Sequence, residues 1–508
     1  MSTSTQGVPR LPTGISGFDE LALGGLPAGR PTLVSGTSGT GKTVFAVEFL
    51  ARGVSEFGEA GVFVDFEETP ADVRANMASF GYDIAAWEAE RKWAFVDASP
   101  EPREQVVVGA FDLGALVERI AQAVRTVDAK RVALDSLATI FARFPDPGLV
   151  RFELARLVIA LKELGVTAVI TAERDQEYGS VAGFGVEQFV ADNVVILRNV
   201  AEQGNRRRTL EILKLRGMPH RIGEFSFAIV PGEGISVLPV ALISEREHAS
   251  LERVSVGNAE LDRMLGEGVH RDAVLFVSGP TGTGKTLVAT TFAAAGVRLG
   301  QRSLLLSFEE SREQMLRGAQ SWGFDLEAME RAGLVRVLGT YPEEASLENH
   351  FVTLRKLIDE FKPERVAIDN LSALERVSTP RGLRDFIVGI SSYLRRSEIS
   401  SMFTSTTATL LGPDSVTEAH VSTLTDVVIL LRYVEVAATV RRAVCVLKIR
   451  ASAHDTRIHE YTIDGQGLHV GPVFDGMAGI LAGSVSPWSS AAEPPAASGA
   501  GQEDDSSA

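Results

Sequence analysis

Two octets decide the fold of this chain: Gly36-Thr37-Ser38-Gly39-Thr40-Gly41-Lys42-Thr43 and Gly279-Pro280-Thr281-Gly282-Thr283-Gly284-Lys285-Thr286. Each matches the pattern G-x-x-x-x-G-K-[ST], follows an apolar run and opens a segment with helical spacing. Such a P-loop turns backbone amides toward phosphates, its lysine neutralises the β- and γ-phosphates, and its last threonine ligates Mg²⁺. A flexible glycine–threonine turn is disfavoured because the octet occurs twice in this context. The sequence therefore predicts two nucleotide sites.

The landmarks around the octets also occur twice, in the same order. Lys42 and Lys285 lie 243 residues apart, and Lys214 and Lys448 lie 234 residues apart. The recurring segments are Phe66-Glu67-Glu68 and Phe308-Glu309-Glu310, Val-Ala-Leu-Asp135 and Val-Ala-Ile-Asp369, and Leu-Lys214-Leu-Arg216 and Leu-Lys448-Ile-Arg450. This period is too long for a solenoid repeat, so it indicates two copies of a domain of roughly 240 residues.

With 508 residues, the chain is larger than one hydrophobic core usually supports. We predict a first domain over 1–240, a second over 241–483, and a disordered tail over 484–508. The tail is rich in Ala, Ser, Pro, Gly and acidic residues, which bury too little apolar surface to fold. In each half, short apolar runs alternate with amphipathic stretches. This alternation predicts an α/β fold in which helices cover a mostly parallel sheet.

Composition limits the partners and the compartment. The net charge is −16, whereas proteins that hold nucleic acid normally present a basic surface, so nucleic acid is not expected as a partner. No apolar run approaches the about 20 residues that span a bilayer, and the first residues lack signal-peptide features. The single cysteine, Cys445, excludes an internal disulfide and a cysteine-cluster metal site. We expect a cytoplasmic protein without membrane contact.

Asp135 and Asp369 end apolar runs, which places both carboxylates at the carboxyl edge of the predicted sheets. Ligands bind at this edge in open α/β sheets, and an aspartate beside a P-loop can hold Mg²⁺. The alternative is an ordinary aspartate that ends a strand or caps a helix. The neighbouring P-loops favour the metal role, so we predict Thr43, Asp135, Thr286 and Asp369 as metal-binding residues.

The pairs Glu67-Glu68 and Glu309-Glu310 each follow an apolar run. ATP hydrolysis and hydroxyl phosphorylation both need a carboxylate that orients or deprotonates the nucleophile near the γ-phosphate. A pair of glutamates is usually solvated surface. Its recurrence after a buried strand in both halves favours catalysis, although spacing does not indicate which member of each pair acts.

Lys214-x-Arg216 and Lys448-x-Arg450 lie on predicted strands, where a period of two puts both cations of a pair on one face. Paired cations on a projecting strand suit contact with phosphates, including those held by a neighbouring subunit. The alternative is a solvated strand face.

The halves differ in their hydroxyl side chains. Aligned on Asp192 and Asp426, the second half carries hydroxyls at three positions where the first has none: Ser422, Thr423 and Thr425 against Gln188, Phe189 and Ala191. Serine and threonine are also common in turns and caps. The difference nevertheless suggests one site that hydrolyses ATP and a second with phosphate acceptors nearby.

Together, the two octets, the Phe-Glu-Glu motifs and the segments Glu211–Gly217, Asp192–Asn199 and Ala419–Asp426 closely resemble the KaiC family of circadian-clock ATPases and autokinases. The resemblance extends from about Thr13 to Gly483. It implies two tandem RecA-like P-loop NTPase domains that form a double-ring homohexamer, with ATP and Mg²⁺ as cofactors and ATP at subunit interfaces.

The resemblance also implies different reactions in the two rings. The first ring would hydrolyse ATP slowly, with Glu67 and Glu68 as its catalytic pair. The second ring would phosphorylate the acceptors Ser422 and Thr423 across an interface, with Glu309 and Glu310 as the corresponding pair. In the family, dephosphorylation can return phosphate to ADP, so autophosphatase activity is implied as well. Thr417 falls where the family has a third relevant hydroxyl.

By motif match, the resemblance implies further nucleotide contacts in both repeats. Those of the first repeat are Ser79, Lys214, Leu215, Arg216 and His220, and those of the second are Trp322, Arg442, Lys448, Ile449, Arg450, Ser452 and His454. Ala451 departs from the family pattern, which has glycine after the second Lys-x-Arg. Beyond Gly483 nothing resembles the helical tail that recruits KaiA, so KaiA is not expected as a partner. The resemblance is compatible with a KaiB-type partner on the first ring.

Two other functions are compatible with tandem P-loops. One is a RecA-type DNA-dependent ATPase, and the other is a nucleotide-gated scaffold that hydrolyses ATP without transferring phosphate. The acidic balance, the lack of interleaved basic and aromatic residues and the Ser422-Thr423 acceptors favour the autokinase over the DNA-dependent enzyme.

Overall fold

A computed structural model describes residues 8–98, 113–136, 147–179, 192–202, 205–238, 250–407, 424–436, 438–474, 477–478 and 486–487. The chain divides into two compact units. One comprises Met1–Ser244, Glu343–Glu360 and Glu375–Ser392, and the other comprises Glu245–Pro342, Phe361–Leu374 and Tyr393–Ala508. In the described part of the chain, no helix is both long enough and apolar enough to cross a membrane.

Strands of the first repeat are mostly short and buried, as parallel strands covered on both faces must be. They are β1 (Arg10–Leu11), β2 (Leu26–Pro27), β3 (Pro31–Gly36), β4 (Gly61–Asp65), β5 (Trp93–Asp97), β6 (Arg131–Asp135), β7 (Thr167–Glu173), β8 (Asn193–Glu202), β9 (Asn205–Leu215), β10 (Glu224–Val230) and β11 (Gly234–Val237). Nine of them form one sheet in the order β11-β10-β9-β8-β3-β7-β6-β4-β5. The strands from β8 to β5 are parallel, and β9 to β11 extend the sheet by antiparallel pairing.

Helices pack on both faces of this sheet because successive strand residues point to opposite sides. They are α1 (Phe18–Leu21), α2 (Lys42–Phe57), α3 (Pro70–Ala78), α4 (Ile84–Ala89), α5 (Leu113–Val127) and α6 (Pro147–Glu163). On one face, Phe63 belongs to a core with residues of α2 and α3, whereas its neighbour Val64 belongs to a core with residues of α5 and α6. A capping box of Thr69 and Asp72 begins α3 with Pro70 in its first turn.

The second repeat has the same plan. Its strands are β12 (Arg253–Val254), β13 (Val269–His270), β14 (Val274–Gly279), β15 (Ser303–Ser307), β16 (Val335–Gly339), β17 (Arg365–Asp369), β18 (Ser400–Thr406), β19 (Val427–Val436), β20 (Thr439–Ile449), β21 (His459–Asp464), β22 (Gly467–Val473), β23 (Met477–Ala478) and β24 (Ser486–Pro487). Its nine-stranded sheet has the order β16-β15-β17-β18-β14-β19-β20-β21-β22. Its helices are α7 (Ala259–Met264), α8 (Lys285–Arg298), α9 (Arg312–Ser321), α10 (Leu326–Arg331), α11 (Leu347–Phe361) and α12 (Pro380–Arg396), with 3₁₀ turns at Pro342–Glu344 and Leu371–Val377.

Each strand of the first sheet therefore has a counterpart at the same place in the second, which confirms the predicted α/β fold of two tandem RecA-like domains. The domain limits at 240 and 483 remain a prediction. Ser486–Pro487, inside the predicted tail, pair with Met477–Ala478. The other residues of 484–508 lie outside the described part of the chain.

Candidate functional site

Both P-loops join a central strand to a long helix. The first lies between β3 and α2, and the second between β14 and α8. Gly41 and Gly284, just before the helices, have φ angles of 100° and 94°, which favour glycine. A Cβ atom at either position would lie 2.6 Å from an isoleucine Cδ1, of Ile229 or Ile463. The backbone conformation therefore favours glycine at both positions, and any larger residue would also have to displace the end of the isoleucine side chain.

The P-loop lysines fold back over their own loops. Lys42 Nζ donates to the carbonyl oxygens of Gly36 (3.0 Å) and Thr37 (2.9 Å), and Lys285 Nζ donates to that of Pro280 (2.9 Å). Burial lowers the pKa of both lysines, while nearby carboxylates act in the opposite direction. Both ammonium groups therefore lie in the concave loops where a phosphate would bind.

Thr40 and Thr283 brace the loops from within. Both are fully buried, and their hydroxyls donate to the carbonyl oxygens of Thr37 (2.9 Å) and Pro280 (2.8 Å). The side chains of these two threonines thus stabilise the loop and do not point toward the concave side where a phosphate would bind.

The predicted metal-binding residues meet at the carboxyl edge of each sheet. Thr286 Oγ1 donates to Asp369 Oδ2 at 2.8 Å, and Thr43 makes the equivalent bond to Asp135. A second threonine on the neighbouring strand also bonds each aspartate, Thr171 to Asp135 and Thr404 to Asp369.

Burial raises the pKa of both aspartates. Hydroxyl and carboxylate oxygens are the ligands that Mg²⁺ prefers, and Mg²⁺ is usually bound through one or two carboxylates together with phosphate oxygens. A divalent cation beside these aspartates would also favour their charged forms. The threonine–aspartate pairs therefore fit the predicted metal.

The glutamate pairs lie beside these aspartates. The Phe66 and Phe308 amides, just before the pairs, donate to the backbone carbonyls of Asp135 (3.0 Å) and Asp369 (3.1 Å). The first glutamate of each pair is exposed and the second is half-buried. The negative charge of the first glutamate acts to raise the pKa of the P-loop lysine. Burial, Asp369 and Glu309 together raise the pKa of Glu310.

The lysine–arginine motifs lie at the opposite edge of each sheet. Leu215, between Lys214 and Arg216, pairs with Asn193, which pairs with Thr32 near the start of β3. In the second repeat, Ile449 pairs with Val427, which pairs with Leu275 of β14. The P-loops follow the other ends of β3 and β14, so the strand length separates each motif from its own P-loop by roughly 15 Å.

Local contacts hold the cations at this edge. Arg216 Nη1 bonds Asp192 Oδ1 at 3.0 Å, and Arg450 Nη1 lies 3.9 Å from Asp426 Oδ1. Lys448 Nζ donates to the Thr425 carbonyl at 2.8 Å. Burial lowers the pKa of Lys214 and of Lys448.

The other predicted contacts divide between the two edges. Ser79 follows helix α3, and its carbonyl accepts from the Gly232 amide in the turn after β10, the strand whose Ile229 lies against the P-loop. Trp322 has the corresponding place in the second repeat, just after helix α9. His220, Ser452 and His454 follow the lysine–arginine motifs. The Leu215 side chain is buried in the core, and Ile449 packs partly against the core of its repeat.

Comparisons with known proteins agree with this arrangement. A family model described as "ATPase: KaiC" matches residues 11–241 and 254–473. The chain belongs to the KaiC family. "Circadian clock protein KaiC3" of Synechocystis sp. is 53% identical over 481 residues, covering 94% of this chain and 95% of the relative. "Circadian clock oscillator protein KaiC" is 47% identical in Thermostichus vulcanus (95% and 92% covered) and in Synechococcus elongatus (94% and 92% covered).

The KaiC-family ATPase sites contain residues that the sequence motifs did not indicate. A Cβ atom at Gly282 would lie 2.7 Å from the Tyr433 hydroxyl, so this tyrosine of β19 lies against the second P-loop. The guanidinium of Arg442, a predicted contact, lies 5.8 Å from the Tyr433 ring centre. In the first repeat, Asn199 has the equivalent place.

Glu177 connects the first P-loop to the neighbouring strand. Its carboxylate accepts from the Thr37 hydroxyl at 2.6 Å and from the Asn199 amide at 3.1 Å. Pro280, which replaces Thr37 in the second P-loop, has no hydroxyl for this bond. The signal that could have indicated Glu177 is the Thr37-to-Pro280 difference between octets that otherwise differ only at Ser38 and Thr281.

The phosphate acceptors predicted for the KaiC-family chain, Ser422 and Thr423, lie outside the described residues, as do Thr417 and the first-repeat residues Gln188, Phe189 and Ala191. The described chain resumes at Leu424, two residues before Asp426, whose carboxylate accepts from the Val274 amide at 2.9 Å.

Proposed function

We propose that the chain is a KaiC-like serine/threonine autokinase and autophosphatase that also hydrolyses ATP, and that it acts as a homohexameric double ring in signalling or timing. The observation that carries the proposal is the placement of each repeat's P-loop and lysine–arginine motif at opposite edges of one sheet. Neither edge holds both halves of a nucleotide site. A ring of copies would supply the missing half from the next subunit, as an arginine finger does.

In the first repeat, the nucleotide would be held by Lys42, by the amides of the P-loop, and by Thr43 and Asp135 through Mg²⁺. The bound metal ion would neutralise charge on the phosphate oxygens. Glu67 and Glu68 extend from the end of β4 toward the same edge. Their carboxylates would orient a water molecule and accept its proton as it attacks the γ-phosphate, which makes this repeat the ATPase.

In the second repeat, Lys285, Thr286, Asp369 and the pair Glu309 and Glu310 would have the same roles toward a hydroxyl nucleophile. Ser422 and Thr423 come shortly before Asp426 in the sequence, and Asp426 lies at the amino edge of the sheet, on the same side as Lys448 and Arg450. This order in the sequence supports transfer of phosphate to the acceptors across an interface between subunits. Burial raises the pKa of the half-buried Glu310, which makes its carboxylate a stronger base toward a hydroxyl proton.

We also propose a KaiB-type protein as a partner of the first ring. The support is the similarity over more than nine-tenths of the chain to proteins named as circadian clock components.

Phosphopeptide mapping tests the proposal directly. The full chain is incubated with ATP and Mg²⁺ for a day, and phosphate on Ser422 and Thr423 is measured together with ATP hydrolysis. We expect both activities in the unmodified chain. Glu309→Gln/Glu310→Gln should reduce phosphorylation by about 10²–10⁴-fold and leave most hydrolysis, and Glu67→Gln/Glu68→Gln should do the reverse.

Ser422→Ala/Thr423→Ala is the matched control, because it removes the acceptors and leaves both glutamate pairs intact. Absence of phosphate on both residues, with hydrolysis lost only in Glu67→Gln/Glu68→Gln, would favour the scaffold that hydrolyses ATP without transfer. Absence of phosphate with strong stimulation by single-stranded DNA would favour the DNA-dependent ATPase.

A further inference from the structure

The catalytic glutamates of the first repeat leave the sheet through a short turn. Strand β4 ends at Asp65 and helix α3 begins at Pro70, so only Phe66 to Thr69 connect them. The amides of Glu67 and Glu68 both donate to one oxygen, Asp65 Oδ1, at 2.9 and 3.0 Å. Asp65 is itself only 3% exposed. The turn that aims both glutamates is therefore fixed by one buried side-chain oxygen.

The second repeat builds the same turn with a different residue. Strand β15 ends at Ser307, and Ser307 Oγ accepts from the amides of Glu309 (3.2 Å) and Glu310 (3.0 Å). Asp65 pairs in register with Asp135, and Ser307 pairs in register with Asp369. The two repeats thus share the oxygen acceptor and its position, although one has a carboxyl group and the other a hydroxyl.

Asp and Ser side chains commonly accept hydrogen bonds from amides two and three residues later, and the carboxylate is the stronger acceptor. Burial, with Asp135 and Glu68 adding to it, raises the pKa of Asp65 to about 6, while the two amide bonds act in the opposite direction. The two amide bonds offset part of the cost of burying this carboxyl group, so the same contacts that fix the turn also stabilise Asp65.

We propose that Asp65 and Ser307 are positioning residues that set the direction of the two catalytic glutamate pairs through their backbone amides. Neither residue needs to touch nucleotide. Their effect passes through Glu67 and Glu68 in the first repeat and through Glu309 and Glu310 in the second. The inference rests on the proposed catalytic role of these pairs.

The experiment uses the full chain with Glu309→Gln/Glu310→Gln, so that the hydrolysis measured comes from the first repeat. Asp65→Ala removes the acceptor, whereas Asp65→Asn and Asp65→Ser each keep one oxygen at that place. We expect Asp65→Ala to lower kcat about tenfold with little change in KM for ATP, because a small misdirection of a catalytic group costs that much. Asp65→Asn and Asp65→Ser should recover kcat to within about threefold.

A second arm tests Ser307 in the chain that keeps all four glutamates. Ser307→Ala should slow phosphorylation of Ser422 and Thr423 by about tenfold, and Ser307→Thr should restore it. Thermal unfolding of every variant shows whether the fold is retained. If Asp65→Ala does not fold, the comparison of Asp65→Asn and Asp65→Ser with the parent still decides, since a loss of more than tenfold in both would overturn the proposal.

Combining Asp65→Ala with Glu67→Gln/Glu68→Gln separates this inference from the proposed function. If Asp65 acts through the glutamates, the combined variant should lose no more activity than Glu67→Gln/Glu68→Gln alone. Full additivity, or an unchanged kcat in Asp65→Ala, would refute the positioning role while leaving the catalytic pair intact. Unchanged hydrolysis in Glu67→Gln/Glu68→Gln would instead refute the proposed catalytic role itself.

Discussion

The two repeats build their P-loops and the acidic residues beside them in the same way but surround them with different side chains. The lysines, the threonine–aspartate pairs and the glutamate pairs have matching positions and contacts in both. Around them, three equivalent positions differ: Asp65 corresponds to Ser307, Thr37 to Pro280 and Asn199 to Tyr433. The P-loop and the acidic residues beside it are therefore duplicated, whereas the residues that surround them differ between the repeats. If the repeats catalyse different reactions, as proposed, these surrounding positions are where the difference should arise.

The largest expected effect comes from removing one P-loop lysine at a time. Lys42→Ala should reduce ATP hydrolysis and Lys285→Ala should reduce phosphorylation of Ser422 and Thr423, each by about 10²–10³-fold, because each lysine stabilises charge that develops on phosphate. Hydrolysis rates and phosphopeptide mapping measure the two outcomes. Equal loss of both activities in both variants would contradict the division between the repeats.

Mixing two inactive variants tests whether each site is shared between neighbouring subunits. Chains with Lys42→Ala keep their lysine–arginine edge, and chains with Arg216→Ala keep their P-loop. If neighbouring copies complete each site, a mixture of the two should hydrolyse ATP faster than the sum of the separate preparations. A mixture that only reaches this sum would indicate sites built within single chains.

A smaller effect, on the pH dependence of stability, should distinguish the hydrophobic cores of the two repeats. The Glu48 carboxylate in α2 is fully buried, accepts from the Ile235 amide at 2.6 Å and contacts Arg52. At the equivalent octet offset the second repeat has Thr291, which carries no charge. Burial raises the pKa of Glu48 from 4.5 to about 7.

The direction of the pH effect follows from this shift. Below pH 4.5 the carboxyl is protonated in both the folded and unfolded states. Between about 4.5 and 7 only the folded state keeps the proton, so the free energy of unfolding falls as pH rises, by up to about 3 kcal/mol. Glu48→Gln, which can still accept from Ile235, should remove this dependence and raise the first repeat's unfolding temperature at pH 8 more than at pH 5.

Calorimetric scans from pH 5 to pH 8 would measure the change. Glu56→Gln is the matched control, because Glu56 is a partly exposed partner of the same Arg52 and should change stability by less than about 1 kcal/mol. A shift of the same size in both repeats, or in both variants, would contradict the assignment to buried Glu48.

The smallest expected effect concerns the residue after each lysine–arginine motif. Gly217 has a φ angle of 77°, and Ala451 at the equivalent place has a φ angle of 58°. An alanine in this left-handed region is strained, so Ala451→Gly should stabilise the second repeat and Gly217→Ala should destabilise the first, each by about 1 kcal/mol or less. A Cβ atom at Gly217 would meet nothing closer than 4.0 Å, so the change would report backbone strain alone.

Much of this architecture could be predicted from the sequence because its signals are local. The octets and the apolar runs that end at Asp135 and Asp369 indicated parallel strands and a carboxyl edge, and the structure places these residues there. The position of Lys214 and Arg216 relative to the P-loop depends instead on β9 turning back beside β8. That pairing is a local hairpin, but β8 also pairs with β3, which lies far away in the sequence. Spacing alone could therefore indicate a shared face but not the opposite edge of the sheet.

The roles of Tyr433 and Asp65 were missed for a similar reason. Tyr433 lies in an apolar strand whose sequence resembles ordinary core, and only the sheet order brings it against Gly282. Asp65 and Ser307 differ in type, so a search for identical residues in the two halves passes over them. Their equivalence is visible in the hydrogen bonds to the amides that follow.

The separation of P-loop and lysine–arginine motif across each sheet has a consequence for the cell. If a complete site exists only where two chains meet, an isolated chain has no activity. The total activity would then follow the fraction of chains that are assembled and not the amount of protein made. Dilution would then switch the protein off without any inhibitor. A minority of inactive copies would also disable their neighbours, so one defective allele could dominate a sound one.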